Sequence, residues 1–94
     1  MTREKIFEKI AEMLKDQGAR KIAIFGSYKR GEERPESDID ILVEFKGRKS
    51  LLDLVRIERE LSEVLGRRVD LLTEKSISPY LIDTIKSEME VIYG

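Results

Sequence analysis

The sequence contains no cysteine and no histidine among its 94 residues. Without cysteine, the chain has no disulfide, no thiolate nucleophile and no thiolate zinc site. Without histidine, serine–histidine hydrolysis, imidazole metal sites and imidazole acid–base catalysis are excluded. Any chemistry must therefore use Asp, Glu, Lys, Arg, Ser, Thr or Tyr side chains.

Long apolar runs are also missing. No run approaches the roughly 18 to 20 apolar residues that a membrane span needs. The first residues enter an amphipathic pattern without the apolar region of a signal peptide, so we expect a cytoplasmic protein. The formal net charge is −1 although 39% of the residues are charged, so direct nucleic-acid binding is not indicated. A chain this short has room for one core, and we predict a single domain over residues 1–94.

Hydrophobic periodicity predicts three helices. Apolar residues at three- and four-residue spacings favour helices over residues 3–17 and 50–65, the second ending at Gly66. A third helix is predicted after Ser78, where a serine–proline pair is typical of a helix start. The residues expected to cap these helices are Thr2, then Ser50 with Asp53 as a capping box, and Ser78.

Short apolar stretches predict strands over residues 21–25, 38–45 and 68–72, and a short terminal strand over 91–93. About twelve residues with little helical pattern separate the first two strands, which favours antiparallel pairing. The helix between the next two strands can cross over and make them parallel. We therefore predict an α/β (α+β) domain with a small mixed β-sheet packed with helices.

The second strand opens with two carboxylates. Asp38 and Asp40 are two residues apart on a strand, so both side chains project from the same face. If the strand that contains Asp70 is its neighbour, a third carboxylate can join them. Carboxylates in a mostly apolar strand are costly unless a cation neutralises them, and their oxygens suit Mg²⁺.

A small-residue turn, Gly26-Ser27, follows the first apolar strand. Glycine has no Cβ, so backbone N–H groups in such a turn can approach a phosphate. A lone Gly-Ser is merely a turn, and a lone Asp-x-Asp is usually a solvated carboxylate pair. Together, between two apolar strands, they indicate an active site for chemistry on a nucleoside triphosphate.

This combination resembles a known signature. Gly26-Ser27, ten intervening residues and Asp38-Ile39-Asp40 are similar to the Gly-Ser/x10/Asp-x-Asp pattern of the DNA polymerase β-like nucleotidyltransferase superfamily. The fuller run over residues 22–45 resembles the minimal nucleotidyltransferase (MNT) family, whose members are about this long. The resemblance implies the polymerase β-like nucleotidyltransferase fold.

The resemblance also implies roles for individual residues. Gly26 and Ser27 match the phosphate-binding turn. The catalytic, metal-binding positions of the family fall on Asp38, Asp40 and Asp70. Arg30 lies in a run that matches the family and could contact phosphate, although a solvated loop position is the alternative.

The function that the resemblance implies is transfer of AMP from ATP to a tyrosine of a partner HEPN-domain toxin, which makes the chain an antitoxin. Mg²⁺, as two ions, would be the cofactor and ATP the substrate. The acceptor could instead be RNA or a small molecule. A third reading is a binding module that neutralises a HEPN RNase by contact alone. A domain this small has little room for an acceptor site of its own, which favours a partner that supplies the hydroxyl.

Overall fold

The computed structural model describes residues 2–26 and 38–94. The elements in chain order are α1 (Arg3–Asp16), β1 (Ala19–Phe25), β2 (Ile39–Phe45), α2 (Leu51–Leu65), β3 (Val69–Leu72), a 3-10 turn (Glu74–Ser76), α3 (Pro79–Glu88) and β4 (Glu90–Tyr93). Each predicted helix and strand is present. The boundaries differ from prediction by one or two residues, which is the usual uncertainty at element ends.

The helix caps form as predicted. The Thr2 hydroxyl accepts a hydrogen bond from the Lys5 N–H at 3.2 Å. Ser50 and Asp53 exchange backbone-to-side-chain hydrogen bonds at 3.1 Å each, which completes a capping box. The Ser50 N–H holds the pKa of the Asp53 carboxyl below its ordinary value. In the described part of the chain, no helix is long and apolar enough to cross a membrane.

The four strands form one mixed sheet in the order β3-β2-β1-β4. β1 is antiparallel to both β2 and β4, whereas β2 and β3 are parallel. Helix α2 makes the crossover between the parallel strands, as predicted. The α+β prediction, with a small mixed sheet, is therefore confirmed.

The core lies on one face of this sheet, under α1 and α2. The helices bury one apolar residue per turn against it: Ile6, Ile10 and Leu14 from α1, and Ile57, Leu61 and Leu65 from α2. Alternation along β2 directs Ile39, Ile41 and Val43 into the core. The alternate residues, which are Asp40, Leu42 and Glu44, therefore lie on the opposite face, away from α1 and α2.

Side chains of α2 cap the backbone of the edge strand β3. The Glu58 carboxylate accepts a hydrogen bond from the Leu71 N–H at 2.8 Å. The Ser62 hydroxyl accepts one from the Val69 N–H at 3.1 Å. These bonds satisfy N–H groups of the edge strand that could otherwise hydrogen-bond to a strand of another molecule. They also fix the position of β3 relative to α2.

Removal of the Glu58 carboxylate should therefore destabilise the fold. We expect Glu58→Ala to lower the free energy of unfolding by about 1 to 3 kcal/mol, because a part-buried N–H loses its acceptor. Urea unfolding followed by circular dichroism measures this. Glu60→Ala removes an exposed glutamate of the same helix, which pairs with Arg56 at 3.6 Å, and should cost less than about 0.5 kcal/mol. Equal losses in the two variants would contradict the edge-capping role.

Candidate active site

Two of the predicted carboxylates lie side by side on neighbouring strands. Asp40 of β2 is in register with Asp70 of β3, and it is opposite Phe25 on its other side. Parallel neighbours lie about 4.8 Å apart and paired residues project to the same face. Both aspartates are half-buried. The pairing of β2 with β3 thus brings together the carboxylates that the sequence placed on separate strands.

The third carboxylate, Asp38, lies immediately before β2. The next residue, Ile39, donates its N–H to the carbonyl of Arg68 at 3.0 Å, which ties the start of β2 to the residue before β3. The Arg68 Nε lies 4.0 Å from Asp38 Oδ2 and 4.0 Å from Asp70 Oδ1. The start of β2 and the start of β3 therefore present three aspartates at one end of the sheet face that lies away from α1 and α2.

Sequence reasoning did not identify Arg68 as part of this group. The available signal was its position two residues before Asp70, which places both side chains on one face of a strand. A second unpredicted neighbour is Phe25, because its register with Asp40 depends on the antiparallel pairing of β1 with β2.

The glycine turn lies directly against Asp40. Gly26 has φ +76, and a Cβ built on it would overlap the Asp40 Oδ2 and lie 3.3 Å from Asp40 Cγ. The predicted reason for this glycine was backbone approach to phosphate; the structure adds that only glycine leaves room for the Asp40 carboxylate. Gly26 and the Asp40 carboxylate are therefore in direct proximity at the end of β1. Ser27 and Arg30 lie outside the described residues, and their phosphate contacts stay predictions.

The carboxylate oxygens of Asp38, Asp40 and Asp70 are chemically suitable ligands for Mg²⁺. Aspartate oxygens are the hard ligands that Mg²⁺ prefers, and Asp40 and Asp70 offer them from paired positions. Within residues 2–26 and 38–94, no three acidic side chains are arranged closely enough to hold an ion in this geometry. The Arg68 guanidinium instead provides the positive charge beside Asp38 and Asp70.

The acidic residue at the other end of β2 has a different environment. Glu44 shares the face of Asp40, but it is hydrogen-bonded to Arg20, which lowers the pKa of the Glu44 carboxyl below its ordinary value. A cavity of about 430 Å³ opens at that end, between Phe45, Leu54 and Thr73. Five residues of strand, or about 16 Å, separate Phe45 from Asp40. That cavity is therefore distant from the three aspartates.

Comparison with known proteins gives a family match over almost the whole chain. Residues 3–92 match the model of the nucleotidyltransferase domain family. A relative from Methanocaldococcus jannaschii, provisionally named a protein adenylyltransferase, is 53% identical over 88 residues, which are 94% of this chain and 95% of the relative. The protein adenylyltransferase MntA of Thermococcus cleftensis is 43% identical over 72 residues, which are 77% of this chain and 73% of that protein.

This chain is also similar in fold to a chain of known structure. A chain in the crystal structure of a toxin–antitoxin with AMP-PNP superimposes with a TM-score of 0.85 and is 28% identical. The match covers 94% of this chain and 73% of that one. Its sequence is much less similar than that of the archaeal relatives, yet its fold is nearly the same.

Proposed function

This chain belongs to the nucleotidyltransferase domain family, and from that premise we propose that it transfers AMP from ATP to a hydroxyl group of a partner toxin. In this role it is a protein adenylyltransferase that acts as an antitoxin. The observation that carries the proposal is the contact between the Gly26 turn and Asp40, because it joins a turn suited to phosphate and a carboxylate suited to metal. The register of Asp40 with Asp70 supplies a second carboxylate at the same place.

Each residue has a role that follows from its chemistry. The Gly26 turn, with the hydroxyl and N–H of Ser27, donates hydrogen bonds to the phosphates of ATP. Arg30 adds a positive charge for the triphosphate. Asp38, Asp40 and Asp70 would hold Mg²⁺, which when bound neutralises phosphate charge and orients the α-phosphorus.

The reaction is a displacement at the α-phosphorus. The acceptor hydroxyl oxygen forms a bond to the α-phosphorus, and the bond to the bridging oxygen breaks, so that pyrophosphate leaves. The hydroxyl proton goes to a carboxylate, for which Asp70 is the candidate because its neighbour Asp40 lies against the phosphate-binding turn. No histidine or cysteine is needed at any step, in agreement with the composition.

The acceptor is proposed to come from another protein. The relatives are named protein adenylyltransferases, and the matching solved chain comes from a toxin–antitoxin structure with a nucleotide analogue. The MNT resemblance of residues 22–45 gives the class of the toxin as a HEPN-domain protein and the acceptor as a tyrosine. A partner can reach this site, since the side chains of Asp38 and Asp70 are 41% and 37% exposed.

The test combines the purified protein with the product of its chromosomal neighbour, ATP labelled at the α-phosphate, and Mg²⁺. We expect label on the partner and none after omission of Mg²⁺. A parallel reaction contains total RNA in place of the partner. Label on RNA alone would show a different acceptor. A tight complex without label transfer, at any nucleotide or divalent cation, would replace the enzymatic proposal with inhibition by contact.

A further inference from the structure

Arg68 lies beside two of the three carboxylates proposed to hold Mg²⁺. Its Nε is 4.0 Å from Asp38 Oδ2 and 4.0 Å from Asp70 Oδ1, so one guanidinium lies near an acidic side chain just before β2 and another within β3. The Arg68 carbonyl also accepts the Ile39 N–H at 3.0 Å, which fixes its backbone at the site. The Arg68 carbonyl is thus hydrogen-bonded to β2, while its side chain lies near Asp38 and Asp70.

We propose that Arg68 is a positioning residue that substitutes for the divalent cation in the metal-free protein and moves into solvent when the cation binds. This inference rests on the proposed function. Neighbouring carboxylates repel one another unless a positive charge lies among them. Before metal binds, the Arg68 guanidinium supplies that charge between Asp38 and Asp70.

The contacts of Arg68 with Asp38 and Asp70 are weak enough for a divalent cation to replace them. Its side chain is 77% exposed, and separations of 4.0 Å are longer than direct hydrogen bonds. Exposed ion pairs of this kind contribute little free energy. A divalent ion carries twice the charge and binds carboxylate oxygens directly. Because arginine stays charged across the physiological range, this competition depends on metal concentration and not on pH.

The competition predicts that loss of Arg68 strengthens cation binding. The experiment titrates Mn²⁺, without nucleotide, into the full-length protein by isothermal calorimetry. We expect Arg68→Gln to bind Mn²⁺ roughly tenfold more tightly than the wild type, because one opposing positive charge is gone from within a few ångströms. Arg68→Lys keeps the charge and should stay close to wild type.

Arg56 provides a matched control. Its guanidinium also faces two carboxylates, with nitrogens 3.8 Å from Asp53 and 3.6 Å from Glu60, but on helix α2. Arg56→Gln changes the net charge by the same amount and should leave Mn²⁺ affinity unchanged. Thermal unfolding gives a second readout: on saturation with Mn²⁺, the unfolding midpoint of Arg68→Gln should rise more than that of the wild type.

Several results would overturn the inference. Unchanged or weaker Mn²⁺ binding by Arg68→Gln would show that Arg68 does not compete with the cation. Weaker binding of a non-hydrolysable ATP analogue by Arg68→Gln, without metal, would make Arg68 a phosphate ligand instead. Absence of Mn²⁺ binding by every variant would also overturn it. AMP transfer by the wild-type protein then decides separately whether the proposed function stands.

Discussion

Asp40→Asn should lower the rate of AMP transfer to the partner by at least about a thousandfold. Its carboxylate is the one that lies both against the Gly26 turn and in register with Asp70. An amide has nearly the same shape but no charge, so it cannot neutralise a divalent cation in the same way. Loss of several kcal/mol of electrostatic stabilisation in the transition state corresponds to this decrease. Single-turnover transfer of α-labelled AMP measures the rate directly.

Glu44→Gln is the control for this variant. Glu44 is on the same strand and the same face, but it pairs with Arg20 at the far end of β2. The substitution removes one negative charge, as Asp40→Asn does, so any effect of net charge is shared. Glu44→Gln should transfer AMP within about twofold of the wild-type rate, since an exposed pair contributes little. Similar losses in the two variants would mean that Asp40 has no special role in the reaction.

Gly26→Ala should both destabilise the protein and slow AMP transfer by about a hundredfold. Gly26 has φ +76, a conformation that costs a residue with a Cβ about 1 to 2 kcal/mol. The new Cβ would also overlap the Asp40 Oδ2, so the carboxylate or the turn must move. Displacement of a reacting group by about 1 Å can cost a hundredfold in rate. Urea unfolding and single-turnover transfer measure the two effects.

Gly66→Ala distinguishes the effect of backbone strain from the effect of displacing the Asp40 carboxylate. Gly66 ends helix α2 with φ +66, and a Cβ there has no atom within 4 Å. It should therefore lose a similar 1 to 2 kcal/mol of stability while transfer stays near the wild-type rate. A slow Gly66→Ala variant would attribute the effect at Gly26 to general destabilisation. A Gly26→Ala variant with normal transfer would show that the turn does not position Asp40.

The helices and strands were predictable because each carries a local signal. The cap at Thr2 and the capping box of Ser50 with Asp53 mark helix starts, and the hydrogen bonds are present in the structure. Parallel pairing of β2 and β3 followed from the helix between them. The place of β4 beside β1 was not predicted, since a four-residue strand carries no pattern that selects its neighbour.

The aspartates of the candidate site could be grouped from the sequence, but their contacts with other side chains could not. Asp38, Asp40 and Asp70 could be placed on one face by alternation and the expected strand order, and the structure brings them to one end of the sheet. The position of Arg68 between two aspartates depends on which way a long, exposed side chain turns, which periodicity does not encode. The contact of the Gly26 turn with Asp40 depends equally on the register of β1 with β2.

The most direct test of the central claim compares two labels on the same partner protein. ATP labelled at the α-phosphate or at the γ-phosphate is incubated with the purified pair and Mg²⁺, and the partner is then isolated under denaturing conditions. AMP transfer by the site of Asp38, Asp40 and Asp70 predicts α-label on the partner, no γ-label, and neither label with Asp40→Asn. Label from the γ-phosphate, or α-label that persists in Asp40→Asn, would contradict it.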